Sequence, residues 1–269
     1  MEKTPRTGQP FSCVGRPLPR VDALDKVLGR AVYAEDISFP NMLHGRVLRS
    51  PLPHARLSSS SVLCPASLSE ASGLPGVVRI LRGADVPVNL NTLLSLLDFG
   101  IDDEPILSTD RVRYKGEPVA AVIAETEAQA RAAVQAVRVE WEPLPHVLDV
   151  EEAVKPGAPT VLDIYPTNKF VYHGKYDHQK LRYGDVEAAF READHIVEGR
   201  YQMSPIEQAP IETCGAIAAP EQNGRYVCYT STQALFFSLG TAAKVLKTPS
   251  SRLHFIGGTV GGGFGGKVD

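Results

Sequence analysis

The chain has 269 residues, of which 43% are apolar and 22% are charged, and its formal net charge is −3. The length suits one large or two ordinary domains, and the composition is typical of a globular protein. It favours neither nucleic acid binding nor a membrane span, which would need about 18 to 20 consecutive apolar residues. The first 20 residues are polar and carry prolines, without the apolar centre of a secretory signal, so we expect a cytoplasmic protein. The four cysteines and seven histidines are dispersed, and the sequence predicts no metal site built from them.

The first half of the chain is predicted to begin with an extended arm and to continue as a folded domain. Prolines and a scarcity of apolar side chains mark residues 1–24 as the arm, and residues 25–148 are assigned to the domain. Val88–Leu94 has no clear period and is predicted to be a loop. Short apolar segments bounded by turn signals predict three strands: Ala31–Ala34, Leu43–Arg49 and Val77–Leu81.

The clearest local pattern lies near the end of this domain. Val119–Ala124 is a continuous apolar run, which predicts a strand covered on both faces. An alanine-rich helix reaching Val137 is expected next, with Thr126 and Gln129 as a candidate capping box. Arg138–Glu142 alternates polar and apolar residues and predicts another strand. Strand, helix and strand in this order indicate an α+β or α/β domain.

A connection rich in proline and glycine, residues 149–168, is predicted to join this domain to a second one, residues 169–269. The second domain is predicted to contain a short helix capped by Asp185 and a longer helix from Ala234 to Leu246. Its strand candidates are Lys169–His173, Ile196–Gln202, Cys214–Ala219, Arg225–Thr230 and Arg252–Ile256.

A glycine-rich loop follows the last of these strands. Seven of the ten residues from Gly257 to Gly266 are glycine, which has no side chain to pack and lets a ligand come close to the backbone. Phe264 within the run argues against a flexible linker. Two alternatives to a cofactor loop stay open. One is a tight turn without a ligand. The other is a phosphate-binding loop, because Gly261–Lys267 fits G-x-x-x-x-G-K, although Val268 lacks the metal-binding hydroxyl of that motif.

Three polar side chains could carry chemistry near this loop. Gln233 follows the strand Arg225–Thr230, and its amide could bind a ligand oxygen or only the local backbone. It would share an end of the sheet with the loop if the next strand runs parallel. Glu212 lies in an apolar stretch, where a structural hydrogen-bond anchor is favoured over a catalytic base. Lys267 could meet an anionic cofactor or could simply be solvated.

A set of short motifs runs through nearly the whole chain. They are Asp25–Ala31, Leu48–Pro51, Tyr114–Ala120, Gly184–Val186, Gln208–Glu212, Ser231–Gln233 and Gly261–Lys267. Together they resemble the molybdenum-binding subunit of the xanthine dehydrogenase and aldehyde oxidase family. The resemblance implies an α+β fold, in which an α/β hammerhead domain is followed by the first part of a molybdopterin-binding α+β domain.

The resemblance also implies a site and a reaction. The reaction is hydroxylation by a molybdenum ion held by molybdopterin, with oxygen derived from water. By this likeness Gln233 is the catalytic residue that bonds an oxygen ligand of molybdenum, and Gly263, Phe264 and Gly265 join it in binding the cofactor. Val268 stands where purine-oxidising members have a glutamate. An N-heteroaromatic or aldehyde substrate is therefore expected rather than xanthine.

The family continues for several hundred residues past the glycine loop, and that part supplies most pterin contacts and a glutamate base. The resemblance therefore implies a second molybdopterin-subunit chain that completes the site, with a [2Fe–2S] subunit and an FAD subunit as further partners. No nucleic acid or membrane partner is expected. The alternative is a non-catalytic or truncated hammerhead module that only binds partner subunits.

Overall fold

The computed structural model describes residues 11–57, 65–97, 100–171, 181 and 183–268. Within these residues the fold is α+β, as the sequence predicts. Two separate groups of strands and helices occupy the two halves of the chain. Residues 1–10, which form part of the predicted arm, lie outside the described residues, and residues 11–22 contain no helix or strand.

The first half is built around an antiparallel sheet of β1 (His44–Arg49), β3 (Val77–Arg82) and β7 (Pro118–Ala124). Strand β7 lies between β1 and β3. Most of its apolar residues are fully buried, which accounts for the continuous apolar run in the sequence.

Helix α4 (Glu127–Ala136) packs on this sheet. Its start is fixed by Thr126, whose side chain accepts a hydrogen bond from the Gln129 N–H at 3.3 Å. Helix α2 (Pro65–Ser72) packs beside α4. The buried core between these elements consists of small and branched residues: Ala55, Leu57, Ala71, Val112, Val119, Ala120, Val122, Ala133 and Val137.

Shorter elements complete the first half. Strand β2 (Ala55–Leu57) lies between β6 (Arg111–Val112) and β8 (Trp141–Pro143), and β4 (Leu90–Asn91) pairs with β5 (Glu104–Pro105). The short helices are α1 (Ala23–Val27), α3 (Leu93–Leu96) and α5 (Val150–Ala153).

The second half contains a sheet in which β10 (Tyr226–Thr230) lies between β9 (Ala216–Pro220) and β11 (Leu253–Gly257). Strand β9 is antiparallel to β10, whereas β11 is parallel to it. Helix α7 (Leu235–Val245) makes the crossover that a parallel pair requires. Helix α6 (Val186–Glu192) begins at Asp185, whose side chain accepts a hydrogen bond from the Ala188 N–H at 2.9 Å.

Several strand predictions are wrong in the described part of the chain. Ala31–Ala34 is no strand, and a single 3-10 turn covers Ala34–Asp36 instead. Ile196–Gln202 and the described part of Lys169–His173 are also irregular, and Arg138–Glu142 is reduced to the end that enters β8. Alternation of side chains is not sufficient for a strand, because each strand needs a neighbour to bind its backbone groups. Among the described residues, only the end of Arg138–Glu142 is paired with a strand, β2, and the other segments are paired with none.

The predicted loop Val88–Leu94 is also wrong, because it holds β4 and the start of α3. These elements lie at one of the contacts between the two halves. The Val88 N–H donates to the Val245 carbonyl at 3.0 Å, and Lys244 Nζ lies 2.5 Å from Asp102 Oδ1. The sequence shows no local pattern here, because the segment is ordered by contacts with α7, more than a hundred residues away.

Candidate functional site

The parallel pairing of β10 and β11 brings Gln233 and the glycine loop to one end of the sheet. Thr230, the last residue of β10, lies opposite Gly257, the last residue of β11. Gln233 follows β10 and the loop follows β11, so both leave the sheet at the carboxyl ends of parallel strands. The predicted proximity of Gln233 to the loop is confirmed.

The side chain of Gln233 binds the loop rather than the start of its own helix. Its Oε1 accepts hydrogen bonds from the backbone N–H groups of Gly265 at 3.0 Å and Lys267 at 3.2 Å. Its own N–H donates to the Lys267 carbonyl at 2.7 Å. The helix start is served by Thr232, whose Oγ1 accepts from the Ala234 N–H at 3.0 Å. The alternative of a merely local backbone contact for Gln233 is therefore wrong.

These two hydrogen bonds fix the orientation of the Gln233 amide. Two N–H donors converge on one atom, and only the amide oxygen can accept from both. The Nε2 group must then point away from the loop backbone. Gln233 is exposed, and among the described residues none accepts a hydrogen bond from Nε2. The arrangement leaves an oriented, uncharged donor at the surface of the loop.

The loop needs its glycines for two separate reasons. A Cβ on Gly263 would lie 2.3 Å from Gln233 Oε1, so any side chain there would displace the amide. Gly262 and Gly265 have φ angles of +103° and +94°, in a region that other residues rarely adopt. The Gly266 N–H donates to the Gly263 carbonyl at 2.8 Å and closes a tight turn.

Phe264 lies within this turn and projects outward. Its φ is 51°, which costs a residue with a Cβ about 1 kcal/mol or more. Its side chain is 75% exposed, so burial does not offset that cost within the described chain. An exposed aromatic in a strained turn is typical of a functional position.

A buried ion pair lies beneath the loop. Lys267 Nζ is 2.8 Å from Glu212 Oε2, and the two side chains are 1% and 6% exposed. The same carboxylate oxygen accepts from the Gly261 N–H at 2.7 Å. Burial alone would raise the pKa of Glu212, but the hydrogen bonds from Lys267 and Gly261 outweigh it and hold the pKa below its usual value.

The ion pair shows which of the two predicted roles holds for Glu212 and which holds for Lys267. Glu212 is the buried hydrogen-bond anchor that the sequence favours. Lys267 is not solvated, and it cannot meet an anionic cofactor, because its ammonium group is already enclosed against a carboxylate. The phosphate-loop alternative needs a lysine free to reach a phosphate, so it is also wrong.

A segment of the first half lies against the loop and was missed from the sequence. Tyr33 Cε1 is 3.3 Å from the position of a Cβ on Gly261. Glu35 Oε1 accepts a hydrogen bond from Thr213 Oγ1 at 2.7 Å, and the rings of Phe39 and Tyr229 are 6.0 Å apart. The sequence shows only short polar and apolar runs here, without a period that would indicate a contact with a later domain.

Other regions of the described chain do not add a second candidate site of this kind. No group of three or more His, Cys, Asp or Glu side chains in the described residues could hold a metal ion. None of the described helices is both long and apolar enough to cross a membrane. Cavities of about 430 Å³ and about 280 Å³ lie in the first half and along the connection, and neither is lined by Gln233 or the glycine loop.

Family comparisons agree with the resemblance inferred from the motifs. Residues 28–145 match the family model described as aldehyde oxidase and xanthine dehydrogenase, a/b hammerhead domain. Residues 166–269 match the model of the molybdopterin cofactor-binding domain. The second match contains Gln233 and the whole glycine loop.

Similar proteins extend over the same regions. The chain is 34% identical to the nicotinate dehydrogenase large molybdopterin subunit of Eubacterium barkeri, over 97% of this chain and 57% of that protein. It is 33% identical to aldehyde oxidase 1 of Bos taurus, over 95% of this chain and 17% of that protein. The chain thus spans about half or less of the length of these relatives.

A solved structure shows the same fold. Quinoline 2-oxidoreductase from Pseudomonas putida 86 superposes with a TM-score of 0.74 at 28% identity, over 94% of this chain and 31% of that one. With matches to the hammerhead domain of that family and to a molybdopterin cofactor-binding domain, relatives along nearly the full chain and a shared fold, the chain belongs to the aldehyde oxidase and xanthine dehydrogenase family.

Proposed function

We propose that this chain forms one wall of the cofactor site of a molybdenum hydroxylase that acts on an N-heteroaromatic or aldehyde substrate. The observation that carries the proposal is the oriented Gln233 amide, whose free donor stands beside the glycines of the loop. The relatives named nicotinate dehydrogenase and quinoline 2-oxidoreductase support a heteroaromatic substrate. The family description and the relative named aldehyde oxidase support an aldehyde.

The residues present fit a molybdopterin cofactor. A metal centre with oxygen ligands needs neutral donors and close backbone approach, and Gln233 Nε2 with Gly263 and Gly265 offers both. When bound, the cofactor supplies the oxygen transfer and the two-electron acceptance that hydroxylation requires. Gln233 Nε2 would hold the bound group by a hydrogen bond, and the Gly265 and Lys267 N–H groups fix this donor in advance.

The proposal includes further polypeptide around this wall. Apolar side chains are exposed across an irregular segment and beside the loop: Val197, Tyr201, Met203, Ile206, Ile211 and Phe236. A surface of this kind on a folded protein usually marks an interaction site. This exposure supports further polypeptide that covers the surface, which we propose to be a second molybdopterin-subunit chain. Subunits with [2Fe–2S] and FAD would carry the electrons onward.

The amide donor is tested by Gln233→Glu in the enzyme isolated from its native host with its partner chains. Glutamate keeps an oxygen that accepts from the Gly265 and Lys267 N–H groups but has no N–H to donate. We expect kcat to fall by about 100-fold, the usual cost of removing one preorganised donor, while molybdenum content stays near that of the unaltered enzyme. Unchanged kcat would contradict the role of Gln233.

The need for further polypeptide is tested by metal analysis. The chain purified alone is expected to contain far less than one molybdenum per molecule, and the complex from the native host is expected to contain close to one. Tight stoichiometric binding by the chain alone would contradict a shared site. A native complex without molybdenum and without redox activity would instead favour the non-catalytic module.

A further inference from the structure

We propose that the buried Glu212–Lys267 ion pair is a positioning device that holds the glycine loop in the shape that orients the Gln233 amide. The contacts of Glu212 and Lys267 with the loop support the effect on its geometry. The effect on catalysis rests on the proposed function, because it assumes that Gln233 acts on a bound cofactor.

One carboxylate oxygen joins the middle of the loop, at Gly261, to Lys267 at its end. Glu212 Oε2 accepts from the Gly261 N–H at 2.7 Å and from Lys267 Nζ at 2.8 Å. A Cβ on Gly261 would lie 2.5 Å from Glu212 Cβ, so the loop touches the glutamate directly at this residue. The span between these two attachment points contains the turn that presents Phe264.

Lys267 is held at both its side chain and its backbone. Its Nζ is fixed by Glu212, while its N–H donates to Gln233 Oε1 at 3.2 Å. Its carbonyl accepts from the Gln233 N–H at 2.7 Å and from Thr232 Oγ1 at 3.1 Å. A shift of the lysine backbone would therefore move the atoms that set the amide orientation.

Stability alone does not account for this pair. Enclosing a carboxylate and an ammonium group costs several kcal/mol of desolvation per ion, and well-packed apolar residues often stabilise a protein as much or more. What an apolar pair cannot do is accept the Gly261 N–H and fix the loop in one position. The charged pair thus stabilises one particular loop geometry.

Lys267→Met in the complete enzyme tests the inference, with Gln233→Ala and the double variant completing a cycle. We expect Lys267→Met to lower kcat by about 10- to 100-fold, as a displaced catalytic group does, with KM changed less. If the pair acts through Gln233, the double variant is no slower than Gln233→Ala alone. Effects that multiply would overturn the inference.

Hydrogen exchange supplies a readout that does not depend on turnover. The Gly265 and Lys267 N–H groups donate to Gln233, so a peptide covering Gly258–Val268 should exchange faster in Lys267→Met. A peptide covering α4 is the internal reference and should not change. Lys247→Met, at an exposed lysine, is the matched control for loss of one charge.

Replacing both members, Glu212→Leu with Lys267→Met, separates positioning from stability. We expect this variant to regain the thermal stability lost in Lys267→Met but not its kcat or its slow loop exchange. Recovery of kcat would overturn the inference.

If Lys267→Met does not fold, Glu212→Gln serves in the same cycle, because it keeps the volume and loses the charge. If Gln233→Ala itself turns over normally, the proposed function fails, whereas loop exchange still decides the geometric part.

Discussion

The Gln233 amide occupies the space that a side chain at position 263 would fill. The site therefore requires glycine at this position. We predict that Gly263→Ala displaces the amide, because the added Cβ would lie 2.3 Å from Oε1. Overpacking of this kind typically costs about 1–3 kcal/mol. Here we expect it to appear as a loss of kcat of at least about tenfold, since a displacement of about 1 Å at a catalytic group suffices for that.

Gly215→Ala is the matched control for this change. Gly215 lies in the same half of the chain, and a Cβ there would meet nothing within 4 Å. Its kcat and melting temperature should match those of the unaltered enzyme. Equal losses in the two variants would mean that the second half tolerates no added methyl group, and the specific conflict with Gln233 would be refuted.

For single residues, the sequence predicts that Gln233 lies beside the glycine loop, but it does not predict that Lys267 is buried in an ion pair. The strand, helix and strand around Gln233 place it beside the loop by topology alone. The burial of Lys267 depends on Glu212, which lies 55 positions earlier and outside any helix or strand. No local pattern carries that information, and a solvated lysine is the usual expectation.

Helix α7 serves both halves of the molecule, because its end also holds the loop between β4 and β5. Lys244 Nζ lies 2.5 Å from Asp102 Oδ1 and 3.0 Å from Ser95 Oγ. We predict that Lys244→Met lowers the melting temperature by about 2–4 °C, equivalent to about 1 kcal/mol in a chain of this size. Lys247→Met, just past the end of the same helix and exposed, should leave the melting temperature unchanged in the same thermal scans.

Asp102 gives this contact a pH dependence. Burial raises the pKa of Asp102, but hydrogen bonds from Lys244 and Ser95 outweigh burial and hold the pKa below its usual value. The unfolded chain therefore takes up the proton at a higher pH than the folded chain does. The stabilisation is complete above the unfolded pKa of about 4 and is lost as the pH falls through the folded value.

Asp102→Asn should therefore reduce the acid sensitivity of the protein. Between about pH 5 and about pH 3 we expect the melting temperature of Asp102→Asn to fall less than that of the unaltered chain. Circular dichroism melts at several pH values measure the difference. Parallel curves for the two proteins would show that Asp102 is not stabilised by its partners.

The elements that the sequence predicts well are those with local causes. Helix α4 has its cap at Thr126 and buried alanines at Ala130 and Ala133, and β7 is a continuous apolar strand. Ile196–Gln202 has a strand-like pattern but no neighbouring strand among the described residues. Its side chains are exposed. Only contacts with other polypeptide could therefore order this segment, and its own sequence does not indicate them.

For the molecule as a whole, the exposed segment around this failed strand predicts a difference between the isolated chain and its complex. Arg200 has a side chain that is 77% exposed, and the residues around it form no helix or strand. Trypsin should cut after Arg200 early in the chain purified alone, because exposed irregular backbone is the preferred site of cleavage. In the native complex the same bond should be protected, as seen by mass spectrometry of timed digests. Equal cleavage rates would contradict a partner that covers this surface.

The long separation between the members of the ion pair has a consequence for biosynthesis. Glu212 and Gln233 are made 55 and 34 positions before Lys267, so on the ribosome both exist while the lysine is still absent. Contacts between distant positions form late, because the intervening chain must be ordered first. Until the loop closes, the Glu212 carboxylate has no counter-charge from Lys267 and the Gln233 amide can rotate. The last residues of the loop to leave the ribosome are therefore the ones that fix the Gln233 amide, made by the chain long before.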